Sequence, residues 1–276
     1  MDKKNCGKRF NASNFDLKQT EESGQCFRWK RIGEGEYLIP SGDKVLKISQ
    51  NGQDFFAECT DDDWNQTWCE YFDFNTDYRD FERKIKGSGD EHLVECFLTG
   101  KGIRILKQNL WETIVTFLIS QNNNIPRIKN SVEKICELGG KKVSVGNHSV
   151  YLFPEPCDIS PEAFNDPTLG LGYRNEYLRE MFEYTGNHPE WLRELKKMPY
   201  EEAKKILMEK KGIGPKVADC ICLFGLHCID AFPIDTHVKQ LMAKYYPKGL
   251  DLTPFEGFKG VVQQYLFYYE IKKPTR

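Results

Sequence analysis

The segment 211–216, KGIGPK, constrains this 276-residue chain more than any other feature. Gly212 and Gly214 permit a tight turn and let the backbone approach another molecule closely, and Pro215 suits the first turn of a new helix. The segment therefore predicts a helix–hairpin–helix. The second helix would begin with unpaired N–H groups and a partial positive charge, which suit a phosphate group. A plain turn between two helices is the alternative.

Lys216 falls in the first turn of that helix, where a cation is disfavoured, so we expect a nucleophilic neutral amine. Asp235, within FPIDTH at 232–237, is predicted to cap the next helix. A helix of about eleven residues extends roughly 16 Å, and a loop of about eight residues can span roughly 27 Å. Asp235 can therefore return beside Lys216, where a carboxylate would stabilise charge developing on a sugar. A phosphate-binding lysine and an ordinary helix cap are the simpler alternatives.

The rest of the chain divides into a strand-rich start and a helical remainder. Short runs rich in aromatic and β-branched residues are separated by breaks containing Gly, Asn or Asp, at 25–31, 36–40, 43–49 and 53–59. From Thr60 the pattern becomes helical, and no further convincing strand appears. The last helix is predicted to open at Thr253. The expected fold class is α+β, with an N-terminal antiparallel-sheet domain followed by an all-helical helix–hairpin–helix domain.

Composition excludes several classes of protein. The net charge is −2 and the isoelectric point about 6.3, so any positive charge for nucleic-acid binding must be concentrated locally. The N-terminus has no apolar signal core, and no apolar run reaches membrane-spanning length, so we expect no membrane association. The ten cysteines are expected to be reduced thiols, and their spacing predicts neither a zinc site nor an iron–sulfur cluster.

The segment 212–222, GIGPKVADCIC, followed by PIDTH at 233–237, resembles the helix–hairpin–helix DNA glycosylases. Within them, the chain resembles the 8-oxoguanine DNA glycosylases of the animal and fungal type, which also occur in some bacteria. Further matching motifs are SGQCFRW at 23–29, SQNNNIPRI at 120–128, LGLGYR at 169–174 and VQQYLF at 262–267. Five ordered motifs spread over nearly the whole chain are far more specific than one hairpin.

The resemblance implies a bifunctional enzyme that flips 8-oxoguanine out of duplex DNA, forms a Schiff base on Lys216 and cleaves the strand by β-elimination. Asp235 would be the essential carboxylate. The implied domains are a TBP-like α+β domain over 1–105 and a helical domain over 106–276. The hairpin would lie at about 200–226, and the last helix would return to the interdomain cleft. We expect a cytoplasmic monomer, associated with the nucleoid in a bacterium, that requires no cofactor.

The resemblance also implies a base pocket. The Gly24 carbonyl would accept the N7–H of 8-oxoguanine, whereas guanine offers an N7 acceptor there. A buried mismatch of this kind costs about 1–3 kcal/mol. Cys220, four residues after Lys216 on the same helix face, would form one wall of the pocket. Phe267 would form the other wall, and Gln263 would read the base edge. Without the resemblance, core packing is the simpler interpretation of Cys220 and Phe267.

Two further implications concern the pocket margin and the hairpin. His237 would line the pocket and approach phosphate; its partner in the family is usually an aspartate, and Glu270 stands at that position. A structural cation would be bound by hairpin carbonyls at Met208, Lys210 and Ile213. Any residue type supplies a carbonyl, so the side chains at these positions do not indicate the cation site.

A last group of residues would contact the DNA around the vacated position. Asn122 resembles the residue that fills the gap left by the flipped base, and Tyr173 the wedge beside it. Arg127 and Arg174 resemble the pair that reads the orphaned cytosine, so cytosine is the expected opposite base. Taken singly, the asparagine would be read as a polar turn and the arginines as solvated surface.

Two other functions remain open from the residues, and a third is disfavoured by the cysteine spacing. An alkylpurine DNA glycosylase would typically use water and lack a lysine at position 216. An adenine or pyrimidine glycosylase would typically carry cluster-binding cysteines. A non-catalytic helix–hairpin–helix DNA-binding module would need the glycines, but would not need Lys216 together with Asp235.

Overall fold

The computed structural model describes residues 7–273, and its N-terminal part is built on an antiparallel sheet. Five strands lie in the order β1-β5-β4-β3-β2, so each strand from β2 to β5 pairs with its neighbour in sequence. The strands are β1 Lys8–Asn11, β2 Lys30–Gly33, β3 Glu36–Ser41, β4 Lys44–Asn51 and β5 Asp54–Glu58. Strands β3, β4 and β5 coincide with the runs predicted at 36–40, 43–49 and 53–59, whereas the run predicted at 25–31 overlaps β2 only at Lys30 and Arg31.

Alternation along the strands creates the first core. In β4, Leu46 and Ile48 are fully buried on one face, as a half-buried strand requires. The edge strand β1 was not predicted, because it has one apolar residue and no alternation. That residue, Phe10, stacks on Phe55 of β5 with 4.9 Å between ring centroids, which explains why so short a strand pairs here.

Helical pieces close this core. The first, α1 Leu17–Glu22, is capped by Asp16. After the sheet come α2 Asp61–Asp63, a π-helical turn Trp64–Trp68 and α3 Cys69–Tyr71. The predicted helix start at Thr60 is confirmed, since its hydroxyl accepts from the Asp63 N–H at 3.0 Å.

The remaining helices form the second part of the molecule. They are α4 Tyr78–Gly87, α5 Glu91–Gly100, α6 Leu110–Ser120, α7 Ile125–Gly139, α8 Arg174–Asn187, α9 Trp191–Leu195, α10 Tyr200–Met208, α11 Pro215–Phe224, α12 Thr236–Tyr245 and α13 Lys259–Lys272. In the described range 7–273, no helix is both long enough and apolar enough to span a membrane. The α+β class with a helical C-terminal part is confirmed.

The two apolar cores interleave along the chain on both sides of the predicted boundary at residue 105. Helices α4 and α5 bury Ile85 and Leu93 in the helical core, while Leu106 packs in the sheet core. The physical reason is that α13 packs along α5. A segment early in the sequence therefore obtains its burial from the C-terminal helix, and sequence order does not reveal this.

Two local predictions in the helical part were wrong. It contains a hairpin, β6 Lys142–Val145 and β7 His148–Tyr151, whose four-residue strands are too short to show a clear alternation. The last helix begins at Lys259, not Thr253. Residues Thr253–Phe255 form a separate 3₁₀ turn, and Gly257 at φ +88° interrupts the helical path between them.

Candidate active site

The predicted helix–hairpin–helix is present, formed by α10, a turn over 209–214 and α11. Gly212 has φ +82°, and a Cβ there would lie 2.5 Å from the ring of Tyr177, so only glycine fits. Gly214 occupies the N-cap of α11, and no side chain caps the helix. Because Gly214 and Pro215 are exposed, the first N–H groups of α11 are open to an incoming anion.

A buried carboxylate that sequence reasoning missed holds the two hairpin helices together. Asp219, 6% exposed, accepts from the Tyr200 hydroxyl at 2.6 Å and pairs with Lys204 at 2.8 Å. Burial and this carboxylate raise the pKa of Tyr200. Asp219 lies three residues after Lys216 on α11, so these bonds fix the helix that carries the lysine. The only sequence signal was a polar residue on an otherwise apolar helix face.

Lys216 and Asp235 lie where two cavities meet. The first is small, about 50 Å³ in volume, and the second is an open cleft of about 430 Å³; both residues line both cavities. Asp235 caps α12 as predicted, since its Oδ1 accepts from the Val238 N–H at 2.8 Å. The predicted loop closure therefore brings the lysine and the carboxylate to one site.

The smaller cavity, called here the base cavity, is lined by most of the residues predicted to recognise the base. It is lined by Gly24, Phe117, Lys216, Cys220, Phe224, Pro233, Asp235, Gln263, Gln264 and Phe267. Gly24 has φ +75°, and a Cβ at this position would lie 3.1 Å from Cε1 of Phe267. The glycine thus permits both the turn and the close approach of the aromatic wall.

The lysine amine sits among apolar groups. Lys216 Nζ lies 5.5 Å from the ring centroid of Phe117, which stacks on Phe224 with 5.5 Å between centroids. Burial raises the pKa of the Cys220 thiol to about 11, although the neighbouring Lys216 opposes part of that rise. Cys220 is therefore a protonated, apolar wall rather than a competing nucleophile.

Gln263 lines the base cavity and is buried, with 3% of its surface exposed. Its Nε2 donates to the Pro233 carbonyl at 3.0 Å, and its Oε1 accepts from Gln264 Nε2 at 3.1 Å. Pro233 lies two residues before Asp235, so Gln263 also ties the last helix to the loop that carries the carboxylate.

The open cleft leads to the residues predicted to contact the rest of the DNA. Asn122 lines it, has φ +46°, and donates from Nδ2 to the Tyr173 hydroxyl at 3.2 Å. Tyr173 is 50% exposed, so its ring is available for stacking. The structure thus brings the predicted gap filler and the predicted wedge into direct contact.

The two predicted cytosine readers differ from each other. Arg127 is exposed at the start of α7. Arg174 is 6% exposed, and its guanidinium donates to the carbonyls of Gln121, Asn122 and Leu171. Arg174 therefore supports the backbone of the loop 121–124, called here the asparagine loop. Four of its five N–H groups are used, which leaves about one for any other partner. This supporting role was not predicted.

His237 lines the open cleft, and its ring meets Phe267 edge-on with 6.1 Å between centroids. No hydrogen bond between His237 and Glu270 occurs among residues 7–273. Glu270 instead accepts from Lys273 at 2.6 Å. The longer glutamate reaches along its own helix to a lysine three residues later, which explains the difference from the expected pairing.

Residues that line the base cavity but were not predicted are Phe117, Phe224, Pro233 and Gln264. Phe117 and Phe224 belong to apolar helix faces, where core and cavity positions have the same sequence pattern. Gln264 follows Gln263 directly, and the glutamine pair was the one available signal.

A hairpin with an open helix start, a first-turn lysine and a returning carboxylate beside a small cavity define a helix–hairpin–helix DNA glycosylase. Comparisons with known proteins identify the family. Residues 9–114 match the N-terminal domain of 8-oxoguanine DNA glycosylases. An Arabidopsis thaliana protein named N-glycosylase/DNA lyase OGG1 is 32% identical over 260 residues, which cover 86% of this chain and 69% of that protein.

Solved structures agree over almost the whole length. The Clostridium acetobutylicum 8-oxoguanine glycosylase/lyase, in complex with double-stranded DNA containing cytosine opposite 8-oxoguanine, is 34% identical with a TM-score of 0.85, covering 94% of this chain and 93% of that one. MBOgg1, in complex with a low-affinity DNA ligand, is 32% identical with a TM-score of 0.90, covering 98% and 97%. The chain belongs to the 8-oxoguanine DNA glycosylase family.

Proposed function

We propose that this chain excises 8-oxoguanine from duplex DNA opposite cytosine and then cleaves the strand, with Lys216 as nucleophile and Asp235 as the stabilising carboxylate. The single observation that supports these roles is the position of the two side chains, which line both the base cavity and the open cleft. A nucleotide whose base entered the cavity while its backbone stayed in the cleft would place its C1′ between them.

Base recognition precedes the chemistry. The lesion leaves the base stack, which costs a few kcal/mol, and the base enters the cavity between Cys220 and Phe267. The Gly24 carbonyl then accepts N7–H, a donor that 8-oxoguanine has and guanine lacks. Gln263 reads the opposite edge with the one N–H and the one lone pair that its bonds to Pro233 and Gln264 leave free.

The chemical step forms one bond and breaks one. The lone pair of Lys216 Nζ attacks C1′, and the electron pair of the glycosidic bond leaves with the base, which takes up a proton. Asp235 stabilises the positive charge that develops on the sugar. Opening of the sugar ring gives a Schiff base, loss of a C2′ proton follows, and the 3′ phosphate departs. The first N–H groups of α11 suit a neighbouring phosphate.

Opposite-base selection rests on Arg127, in the first turn of α7. Its side chain is exposed, and cytosine presents acceptors to a guanidinium. Adenine would place an amino donor against it and leave both groups unpaired. The structural relative from Clostridium acetobutylicum was solved with cytosine opposite the lesion, which supports the same preference here.

A hairpin cation is a further, separate part of the proposal. The carbonyls of Met208, Lys210 and Ile213 would hold it, and backbone oxygens suit hard cations. The Lys210 carbonyl already accepts from the Ile213 N–H at 3.1 Å, so it has one lone pair left for a metal. A bound cation would supply positive charge for a phosphate at the hairpin.

Borohydride trapping tests the enzymatic proposal. Incubating the protein with an 8-oxoguanine duplex and borohydride should reduce the Schiff base and give a covalent protein–DNA complex. Excision without trapping would indicate a water-dependent glycosylase, the mechanism typical of alkylpurine enzymes. Binding without excision would indicate a non-catalytic DNA-binding module.

A further inference from the structure

A second glutamine lines the base cavity beside the predicted base reader. Gln264 is 3% exposed, as buried as Gln263, and both belong to α13. None of the roles described above uses it, except that its Nε2 donates to Gln263 Oε1 at 3.1 Å. Both amide atoms of a buried glutamine require hydrogen-bond partners, because burying a polar atom without a partner is unfavourable.

The polarity of both amides follows from one backbone group. The Pro233 carbonyl can only accept, so the Gln263 atom facing it must be the Nε2 donor. Gln263 Oε1 therefore faces Gln264, and Gln264 must donate to it from Nε2. The remaining Gln264 atom is consequently Oε1, an acceptor. Exchanging oxygen and nitrogen in either side chain would bring two acceptors or two donors together.

That Oε1 atom has no hydrogen-bond partner. Within residues 7–273, four buried side-chain polar atoms lack one: Arg28 Nε, Trp191 Nε1, His227 Nε2 and Gln264 Oε1. Of these four residues, Gln264 is the one that lines the base cavity. An unpaired buried acceptor costs about 1–3 kcal/mol. A donor on the ligand that fills the cavity would remove this cost.

We propose that Gln264 is a specificity-determining residue whose Oε1 accepts from the exocyclic 2-amino group of the bound base. The inference rests on the proposed function. Gln263 keeps one free N–H and one free lone pair, which match O6 and N1–H on the edge of 8-oxoguanine. The next group along that edge is the 2-amino donor, and the atom of the glutamine pair that lacks any partner is the acceptor Gln264 Oε1.

The substrate class follows from this order of groups. The site selects purines that are oxidised at C8 and carry both a lactam and a 2-amino group. 8-Oxohypoxanthine keeps O6, N1–H and N7–H but lacks the amine, so it would leave Gln264 Oε1 unpaired. A site built to hydrogen-bond a substrate donor rejects an analogue that lacks it, since its own buried group is then left without a partner.

Single-turnover excision from two duplexes tests the proposal. They differ only in the lesion, 8-oxoguanine or 8-oxohypoxanthine, each opposite cytosine. The wild type should excise 8-oxoguanine about tenfold faster. Gln264→Met introduces an unbranched apolar side chain of similar length. It should slow excision of 8-oxoguanine about tenfold while changing that of 8-oxohypoxanthine by less than about twofold.

Gln263→Met is the matched control, because it removes contacts to O6 and N1–H that both lesions share and should slow both alike. Equal slowing of both lesions by Gln264→Met would show that Gln264 only supports Gln263, and would overturn the proposal. If thermal melting shows that Gln264→Met is unfolded, the wild-type ratio decides: a ratio near one overturns the proposal. Failure of the wild type to excise 8-oxoguanine would instead overturn the proposed function.

Discussion

The base cavity and the open cleft differ in how their polar groups are held before any ligand arrives. In the cavity, Cys220 and Gln263 are each 3% exposed, and the Gln263 amide is bonded within the protein. At the cleft, Asn122 is exposed, and its one side-chain contact is with the exposed Tyr173 beside the cleft, at 3.2 Å. The polar groups of the cavity are therefore held by the fold, whereas Asn122 and Tyr173 are held by a single bond between them.

This difference separates two kinds of specificity. A group buried and bonded in advance rejects the wrong base at a high energetic cost, because it cannot find another partner. An exposed arginine such as Arg127 exchanges water for a base and discriminates less. Arg174 stands between the two regions, since it is buried yet holds the exposed asparagine loop. Substitutions in the cavity should thus affect chemistry strongly, and substitutions in the cleft should affect discrimination.

The largest effect is expected at the junction of the two regions. Lys216→Gln should abolish both borohydride trapping and strand cleavage, because the amide cannot form a Schiff base. Lesion binding, measured by gel shift, should persist. Lys239→Gln is the matched control: Lys239 lines the same open cleft but not the base cavity, and its removal should leave trapping intact. Undiminished trapping by Lys216→Gln would assign the nucleophile to another lysine.

Asp235→Asn should slow excision by roughly 10²–10³-fold, the usual cost of removing an electrostatic group from a site that excludes water. Asparagine caps a helix about as well as aspartate, so the bond from the Val238 N–H should persist and the melting temperature should change little. Single-turnover rates and thermal melting measured together check this. A collapsed melting temperature with normal turnover of the folded fraction would reduce Asp235 to a helix cap.

Gly24→Ala should slow excision by about ten- to a hundredfold, because the new methyl group would push on Phe267 and narrow the cavity. The free energy of unfolding should fall by about 1–3 kcal/mol, because a non-glycine residue at φ +75° is strained. Gly42→Ala provides the control, because Gly42 also has positive φ but a Cβ there meets nothing within 4 Å. Equal losses of activity in both variants would show that backbone strain alone is responsible.

Sequence predicted the elements of this site whose signals are local. The two-glycine turn, the proline start and the cap at Asp235 each act within a few residues, and the structure has all three. The α+β class followed from the strand runs in the same way. The pairing of Lys216 with Asp235 required only a helix length and a loop length.

Features that depend on distant contacts were not predictable from the sequence. The placement of α4 and α5 in the helical core requires α13, which lies more than 150 residues later. Asp219 resembles any polar residue until Tyr200 and Lys204 are seen to surround it. Arg174 was expected at the cytosine because nothing in the sequence shows that loop carbonyls occupy its guanidinium.

The smallest effect is expected at the exposed residue Arg127. Arg127→Ala should reduce the preference for cytosine over adenine opposite the lesion by about five- to tenfold, roughly the net value of one hydrogen bond at an exposed position. The change should come mainly from slower excision opposite cytosine, and stability should change little because Arg127 is exposed. Arg193→Ala, which removes an exposed arginine on α9, should leave the preference unchanged. Equal wild-type rates opposite cytosine and adenine would mean that Arg127 contacts phosphate or solvent only. In that case the exposed cleft would bind DNA without reading it, and the base cavity alone would carry specificity.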